Sequence, residues 1–289
     1  GIKGPIGTQT DMLTLLKSYA KVEQLEIAVA MHLGFEETLE APGQIYPRSF
    51  DLAMVSHLTL LAAACENYAI GMRLMAGAEL VTEGFQAGQV GSSAMPHKMN
   101  TRSSERINAL GNLLKMYQDG ASRNSGATWL EGDVSDSASR RIIIPDAFYA
   151  VDGLAETTLT VLNEMGAYPA VISAEVDRYL PFLATTEILA TAVTNGMGRE
   201  EAHNRIKEYA INAAKRMREG QPNTFIADII LDPLFQEKGI TAKTLGASLE
   251  DRAHFIGNAH RQIQAVADKV EELLESHKVA AAYEPRPIL

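Results

Sequence analysis

Apolar residues recur at three- and four-residue steps over much of the chain, a spacing that predicts helices and not strands. The longest such pattern runs from Phe50 to Leu80, and Pro47 stands just before it. Its 31 residues predict a rod of roughly 46 Å at about 1.5 Å per residue. Similar patterns cover residues 108–116 and 135–165, and Gly166 stops the last of them. We therefore expect an all-α fold built around a long helical bundle.

The pattern changes at Tyr168 and Pro169. Beyond them the helix patterns are shorter and are separated by glycines and prolines, at positions 196, 198, 220, 222 and 233. Pro145 lies inside the third long pattern, where it removes one backbone donor without ending the domain. We expect residues 1–167 to form the central bundle and residues 168–289 a smaller C-terminal helical domain. Strand and helix patterns do not alternate, which disfavours doubly wound and barrel folds.

Composition and charge narrow the class of protein. Hydrophobic residues make up 46% of the 289 residues and charged residues 21%, values typical of a folded globular protein. The net charge of -10 disfavours a nucleic-acid-binding protein, while it permits a local basic pocket for a small anion. The single cysteine, Cys65, predicts a buried thiol in a reducing, cytoplasmic compartment. No stretch reaches the ~18 apolar residues of a membrane span, and no histidine and carboxylate spacing suggests a metal site.

Glycines, serines and a lysine are concentrated between the first and second long patterns, in residues 84–100. Glycine permits many backbone conformations, serine supplies hydroxyl groups, and a nearby ammonium favours a negative charge on a neighbouring oxygen. The composition of this segment indicates that it handles anions. Taken alone, it leaves open a solvent-exposed connector between two helices.

The decapeptide Gly91–Asn100, GSSAMPHKMN, resembles the signature loop GSSxMPxKxN of the fumarase/aspartase superfamily. The histidine that follows the proline, His97, resembles the residue found there in the adenylosuccinate lyase and muconate cycloisomerase branches of the superfamily. Four further segments are similar in order and spacing to the adenylosuccinate lyase branch, namely 3–9, 129–131, 136–142 and 180–187. The chain begins with a glycine inside what resembles a loop, so we expect the larger C-terminal part of such an enzyme.

The resemblance implies a carbon-nitrogen lyase of purine biosynthesis. It would eliminate fumarate from adenylosuccinate, giving AMP, and from the succinylated aminoimidazole carboxamide ribotide. The resemblance also implies no cofactor, and a homotetramer whose sites are shared between subunits. Two alternatives remain: a 3-carboxy-cis,cis-muconate cycloisomerase, or an inactive helical fragment that retains only oligomer contacts. The family's two catalytic histidines would lie upstream of residue 1, so we expect this chain alone to be inactive.

The resemblance assigns chemical roles to five residues. Ser92 would be the general base, with its pKa lowered by the charge of Lys98. Lys98, Ser93 and Asn100 would donate to the carboxylate that gains charge when the proton leaves. Glu105 would orient a catalytic histidine of another subunit.

Substrate binding is assigned to a second group of residues. Arg106 and Arg141 resemble positions that contact phosphate or carboxylate, and Ser137 lies four residues before Arg141 on the same helix face. Gln44 matches a substrate-binding glutamine before the long rod. Arg140 has two interpretations, as an anion contact or as a surface ion-pair partner.

Two positions depart from the family pattern. Thr101 stands where the family usually has proline, and Gly132 stands where many relatives have an arginine after Trp-x-Glu. The second departure removes a candidate anion contact. Among the seven histidines, His97 is interpreted as shaping the loop or contacting substrate, and the other six as structural.

Overall fold

The computed structural model describes residues 2–84, 99–130 and 132–285, without the side chains of Ala247 and Ser248. The chain divides into two compact units, residues 1–167 and Tyr168–Glu284.

Among its described residues, the first unit contains five helices and two short strands. The helices and strands are, in chain order, α1 Thr10–Leu16, α2 Tyr19–His32, α3 Ser49–Gly77, β1 Val81–Thr82, α4 Arg102–Asn124, α5 Ser137–Glu164 and β2 Gly166–Ala167. The two strands pair antiparallel, with Val81 opposite Ala167.

Helices α3, α4 and α5 run up, down and up. Arg73 near the end of α3 donates to Asn108 near the start of α4, at 2.9 Å between Nη1 and Oδ1. Asn124 at the end of α4 donates to Ser139 near the start of α5, at 2.8 Å between Nδ2 and Oγ. Each helix is therefore antiparallel to the one before it, and the bundle has two distinct ends.

Small and branched side chains fill the space between the three helices. The fully buried ones include Val55, Ala62, Ala69, Ile107, Leu114, Ala147, Leu154 and Val161. Gly111 of α4 faces Glu66 of α3, and a β-carbon at Gly111 would lie 2.3 Å from Cδ of Glu66. The buried Glu66 carboxylate accepts a hydrogen bond from Lys115 Nζ at 2.8 Å. A glycine here lets α4 approach α3 over a buried charge.

The all-α prediction is confirmed, and the helix boundaries differ from the expected ones for local reasons. Helix α3 ends at Gly77 and not at Leu80, because Glu79 takes a positive φ of 59° before the β1 strand. Helix α4 extends beyond residues 108–116 at both ends, since its polar first and last turns carry no apolar pattern. Helix α5 continues through Pro145 as expected. Cys65, expected to be buried, is a half-buried free thiol.

Shorter helices form the second unit. They are α6 Pro169–Leu183, α7 Thr185–Thr194, α8 Arg199–Arg218, α9 Phe225–Leu231, α10 Pro233–Glu237, α11 Ala242–Glu250, the 3-10 helix Arg252–Ile256, α12 Ala259–Ser276 and α13 Lys278–Ala281. The core of this unit surrounds the fully buried Phe225, Phe235, Ile188 and Ile229. In the described parts of both units, no helix is long and apolar enough to span a membrane.

Candidate active site

Three of the predicted site residues, Ser92, Ser93 and Lys98, lie outside the described residues, as does His97. The geometry of the site is therefore that of the remaining six residues: Gln44, Asn100, Glu105, Arg106, Ser137 and Arg141.

Glu83, just before the segment that carries the signature, is bound to the helix that follows it. Its carboxylate accepts hydrogen bonds from the backbone N–H groups of Ser103 and Ser104, at 2.8 and 2.9 Å. The Ser104 hydroxyl donates to the same carboxylate at 2.8 Å. A carboxylate at this place satisfies N–H groups that a helix start leaves without partners, and it interacts favourably with the helix dipole. The protein's own acid therefore occupies the first turn of α4, and it ties residue 83 to residues 103 and 104.

Three predicted site residues lie at the start of α4. Asn100 is half-buried just before the helix, while Glu105 and Arg106 are exposed in its first turns. The backbone N–H of Glu105 donates to the Thr101 carbonyl at 2.9 Å, which places Glu105 one turn into the helix. We name Asn100, Glu105 and Arg106 the α4-start group.

The other three predicted residues lie at the opposite end of the bundle. Ser137 is the first residue of α5, and its hydroxyl accepts a hydrogen bond from Arg141 Nη1 at 2.8 Å. Ser137 and Arg141, four residues apart on one face of α5, are therefore in direct hydrogen-bond contact. Gln44 is exposed in the segment before α3. We name Gln44, Ser137 and Arg141 the α5-start group.

The two groups are far apart within one chain. Asn124, which contacts the start of α5, lies 19 positions after Glu105 on α4, a distance of about 28 Å at ~1.5 Å per residue. Arg106 and Arg141 therefore do not line one pocket in a single chain. Each end of the bundle presents one part of the predicted site.

A cluster of charged residues beside the α5-start group was not predicted from the sequence. Arg140 Nε donates to Asp51 Oδ2 at 2.5 Å, and the Tyr46 hydroxyl donates to Asp51 Oδ1 at 2.7 Å. Arg140 also donates to the Tyr46 hydroxyl, and Arg48 pairs with the buried Asp136. Burial and then the hydrogen bond to Asp51 raise the pKa of Tyr46, while the bond to Asp51 raises the pKa of Arg140. Together these contacts join the segment before α3, the first turn of α3 and the start of α5.

The sequence carried a partial signal for this cluster. Arg48 and Asp51 are three residues apart and Asp136 and Arg140 four apart, spacings typical of ion pairs within one helix. In the structure the closest ion pairs instead join the two segments: Arg48 pairs with Asp136, and Arg140 pairs with Asp51. Arg140 is thus an ion-pair partner that is largely buried, with 22% of its side chain exposed.

Gly132, the position that departs from the family pattern, lies against the segment that carries Gln44. Its φ is 149°, and a β-carbon there would come within 2.9 Å of Ile45 Cγ1. The neighbouring Asp133 accepts hydrogen bonds from the backbone N–H groups of Trp129 and Ser135, both at 2.8 Å. This turn therefore has no room for a side chain at Gly132 as it is folded.

The residues that the structure describes contain no group of histidines, cysteines and carboxylates that could hold a metal ion. The polar groups found at the two ends of the bundle are amide, hydroxyl, guanidinium and carboxylate groups. The amide, hydroxyl and guanidinium groups can donate hydrogen bonds to an anion, and the carboxylates can accept hydrogen bonds.

Comparison with known proteins adds to these observations. Residues 181–266 match the family model described as adenylosuccinate lyase C-terminus. The chain is 32% identical to the adenylosuccinate lyase of Schizosaccharomyces pombe and 34% identical to that of Saccharomyces cerevisiae. Each similarity covers 93% of this chain and 55% of the relative. The adenylosuccinate lyase of Schistosoma mansoni is 30% identical, over 96% of this chain and 58% of its own length.

A solved structure shows the same fold. The 3-carboxy-cis,cis-muconate lactonizing enzyme of Pseudomonas putida superposes with a TM-score of 0.73 over 94% of this chain and 57% of that enzyme. At 18% sequence identity, this likeness concerns the fold alone. The chain spans little more than half the length of the curated relatives that it matches. Residues 181–266 are therefore similar to the C-terminal domain of the adenylosuccinate lyases, and 93% of the chain is similar in sequence to those enzymes.

Proposed function

We propose that this chain is part of a lyase that eliminates fumarate from adenylosuccinate, giving AMP, and from the succinylated aminoimidazole carboxamide ribotide. The observation that carries the proposal is the 32 to 34% identity, along 93% of the chain, to two proteins named adenylosuccinate lyase. The decapeptide GSSAMPHKMN supports it independently, because its serines and lysine suit an anionic substrate. The free Cys65 thiol supports a reducing compartment such as the cytoplasm.

The proposed reaction is a proton abstraction followed by cleavage of a carbon-nitrogen bond. Ser92 takes the proton from the succinyl carbon next to the carbon that bears nitrogen. The electron pair left behind is delocalised into the adjoining carboxylate, where Lys98, Ser93 and Asn100 donate hydrogen bonds or positive charge. The pair then forms the double bond of fumarate, and the nitrogen leaves with the electrons of the broken bond. A general acid outside this chain gives that nitrogen its proton, and Glu105 orients the acid.

Substrate binding is proposed for the remaining residues. Arg106 and Arg141 would bind phosphate or carboxylate, and the hydroxyl of Ser137 and the amide of Gln44 would complete the recognition. Arg141 is exposed, and its Nη1 donates a hydrogen bond to the Ser137 hydroxyl. The other N–H groups of the guanidinium can donate to a ligand.

The separation of the two groups supports an assembly with shared sites. A second copy packed antiparallel would bring the α4-start group of one chain near the α5-start group of another. The bundle also exposes large apolar side chains, among them Leu60, Leu74 and Tyr149 with 69, 71 and 74% of their surface accessible. An apolar face of this kind is typical of an interface. We propose a homotetramer in which each site uses residues of several subunits.

Two alternatives are weaker. A muconate cycloisomerase acts on a substrate without phosphate, and its likeness to this chain concerns the fold alone. An inactive helical fragment would keep only the oligomer contacts. Measured turnover of adenylosuccinate separates the proposal from both.

The test is fumarate release by a full-length version of the protein. We expect Ser92→Ala to lower kcat by about 10⁴ while substrate affinity, measured by calorimetry, stays near the wild-type value. Lys98→Ala should weaken both, because its ammonium attracts the substrate carboxylate before and during the reaction. Ser276→Ala, at the end of α12, is the matched control and should keep full activity. Near-normal fumarate release by Ser92→Ala would refute the assignment of the base.

A further inference from the structure

Gln44 lies in a segment without regular secondary structure, between α2 and α3. Backbone of this kind has many conformations of similar energy unless side-chain contacts select one. A substrate-binding residue there needs such contacts, and the structure shows which ones the chain provides.

Two contacts fasten this segment to the start of α5, through Tyr46 and Arg48, and a third joins α5 to Asp51 in the first turn of α3. Arg140 binds both Tyr46 and Asp51. Arg48 binds Asp136, and these two side chains are only 8 and 2% exposed. The centroid of the Tyr46 ring lies 4.7 Å from the guanidinium carbon of Arg48 and 5.4 Å from that of Arg140. Gln44 is two residues before Tyr46, and Ser137 directly follows Asp136, so these contacts lie next to both parts of the α5-start group.

The hydrogen bonds of this cluster are used within the protein. The Tyr46 hydroxyl donates to Asp51 and accepts from Arg140, so its proton is engaged. Burial and the neighbouring Asp51 raise the pKa of Tyr46, which keeps that proton in place at neutral pH. Tyr46 is therefore suited to holding structure and not to transferring a proton. Arg140 likewise directs its Nε and one Nη to the protein itself.

We propose that Arg140 is a positioning residue: it holds Gln44 in place against the Ser137–Arg141 pair, so that the three form one substrate-binding surface. The inference rests on the proposed function. Arg140 acts through Gln44 and Tyr46 and does not itself touch the substrate.

The second unit contains a matched set of contacts that serves as a control. Arg205 Nη1 binds Asp232 Oδ2 at 2.7 Å, and the Tyr209 hydroxyl donates to the same oxygen at 3.0 Å. The residue types are the same as in the Arg140, Asp51 and Tyr46 set. None of the predicted site residues belongs to this unit.

The experiment compares Arg140→Lys with Arg205→Lys in a full-length version. A lysine keeps the positive charge, but its single ammonium cannot reproduce the planar, forked geometry that reaches both Asp and Tyr. We expect both variants to lose some thermal stability. Only Arg140→Lys should raise the KM for adenylosuccinate, by about tenfold, while kcat stays within about twofold of the wild-type value. The substitution weakens binding of the substrate and of the transition state equally, so the rate of the chemical step is unchanged.

A second variant and a second measurement keep the test decisive. Tyr46→Phe removes only the hydroxyl and should raise KM by a smaller factor, about threefold. Amide hydrogen exchange at residues 44–46 should become faster in Arg140→Lys and stay unchanged in Arg205→Lys. An unchanged KM in Arg140→Lys, or an equal rise in both lysine variants, would overturn the positioning role. If the wild-type protein releases no fumarate, the proposed function fails, and unchanged exchange at residues 44–46 would then overturn the inference separately.

Discussion

Replacing Gly111 by alanine tests how the bundle accommodates a buried charge. The new β-carbon would lie 2.3 Å from Cδ and 2.4 Å from Cγ of Glu66, distances that no real contact tolerates. Cγ lies in the middle of the Glu66 side chain and Cδ carries its two carboxylate oxygens, so the side chain must move together with its charge. Its carboxylate then loses the hydrogen bond from Lys115 at 2.8 Å.

The expected magnitude follows from three contributions. Forcing an extra carbon into a packed core costs about 1–3 kcal/mol. A buried carboxylate without its partner costs a further ~1–3 kcal/mol. Alanine offsets about 1 kcal/mol of this, because it is the better helix former. We expect Gly111→Ala to lower the free energy of unfolding by about 3 kcal/mol in total.

The assay is urea unfolding followed by far-ultraviolet circular dichroism. Amide exchange of Ile107 and Leu114, both on α4, reports the first unit separately from the second. Gly71→Ala is the matched control, since Gly71 lies within α3 and a β-carbon there meets nothing within 4 Å. This control should stabilise the protein by up to ~1 kcal/mol.

A double variant isolates the clash. Combining Gly111→Ala with Glu66→Ala removes the atoms in conflict, so the double variant should be more stable than the sum of the two single effects predicts. Strict additivity, or a Gly111→Ala protein that unfolds at the wild-type urea concentration, would show that the reasoning about this contact is wrong.

Two further predictions concern buried carboxylates. Burial alone would raise the pKa of Asp232, but hydrogen bonds from Leu234 N–H, Tyr209 and Arg205 outweigh it and lower the pKa below its ordinary value of 3.8. The charged form therefore stabilises the fold above about pH 4, and this stabilisation is lost as the pH falls through the lower folded value. Asp232→Asn should be less stable than wild type by about 1–3 kcal/mol at pH 7, with a difference that shrinks as the pH falls below 4, measured by urea unfolding at several pH values. Glu83→Ala should lower stability by about 1–2 kcal/mol in thermal unfolding, because two buried N–H groups at the start of α4 lose their acceptor. Glu105→Ala, in the same helix turn but exposed, should change it by only a few tenths of a kcal/mol, and equal effects of both substitutions would contradict the capping role.

The sequence by itself determined the helical class, the presence of the three bundle helices and the shared helix face of Ser137 and Arg141. These features depend on residues that are three or four positions apart, and the spacing of side chains along a helix can be read directly from the chain. The signature decapeptide and its neighbours also sufficed to indicate the family. The ends of α3 and α4 could not be read, because a positive φ at Glu79 and polar terminal turns leave no apolar pattern.

Only the tertiary structure decided which charges meet and which predicted site residues lie together. Arg140 binds Asp51 across 89 positions of sequence, although a nearer acid, Asp136, stands four residues before it. Glu83 caps a helix that starts 19 residues later, with no capping residue at the usual place. Whether Glu105 and Arg141 lie together depends on the direction in which α4 runs. That direction follows from the packing of whole helices, a sum of many weak contacts that no local spacing encodes.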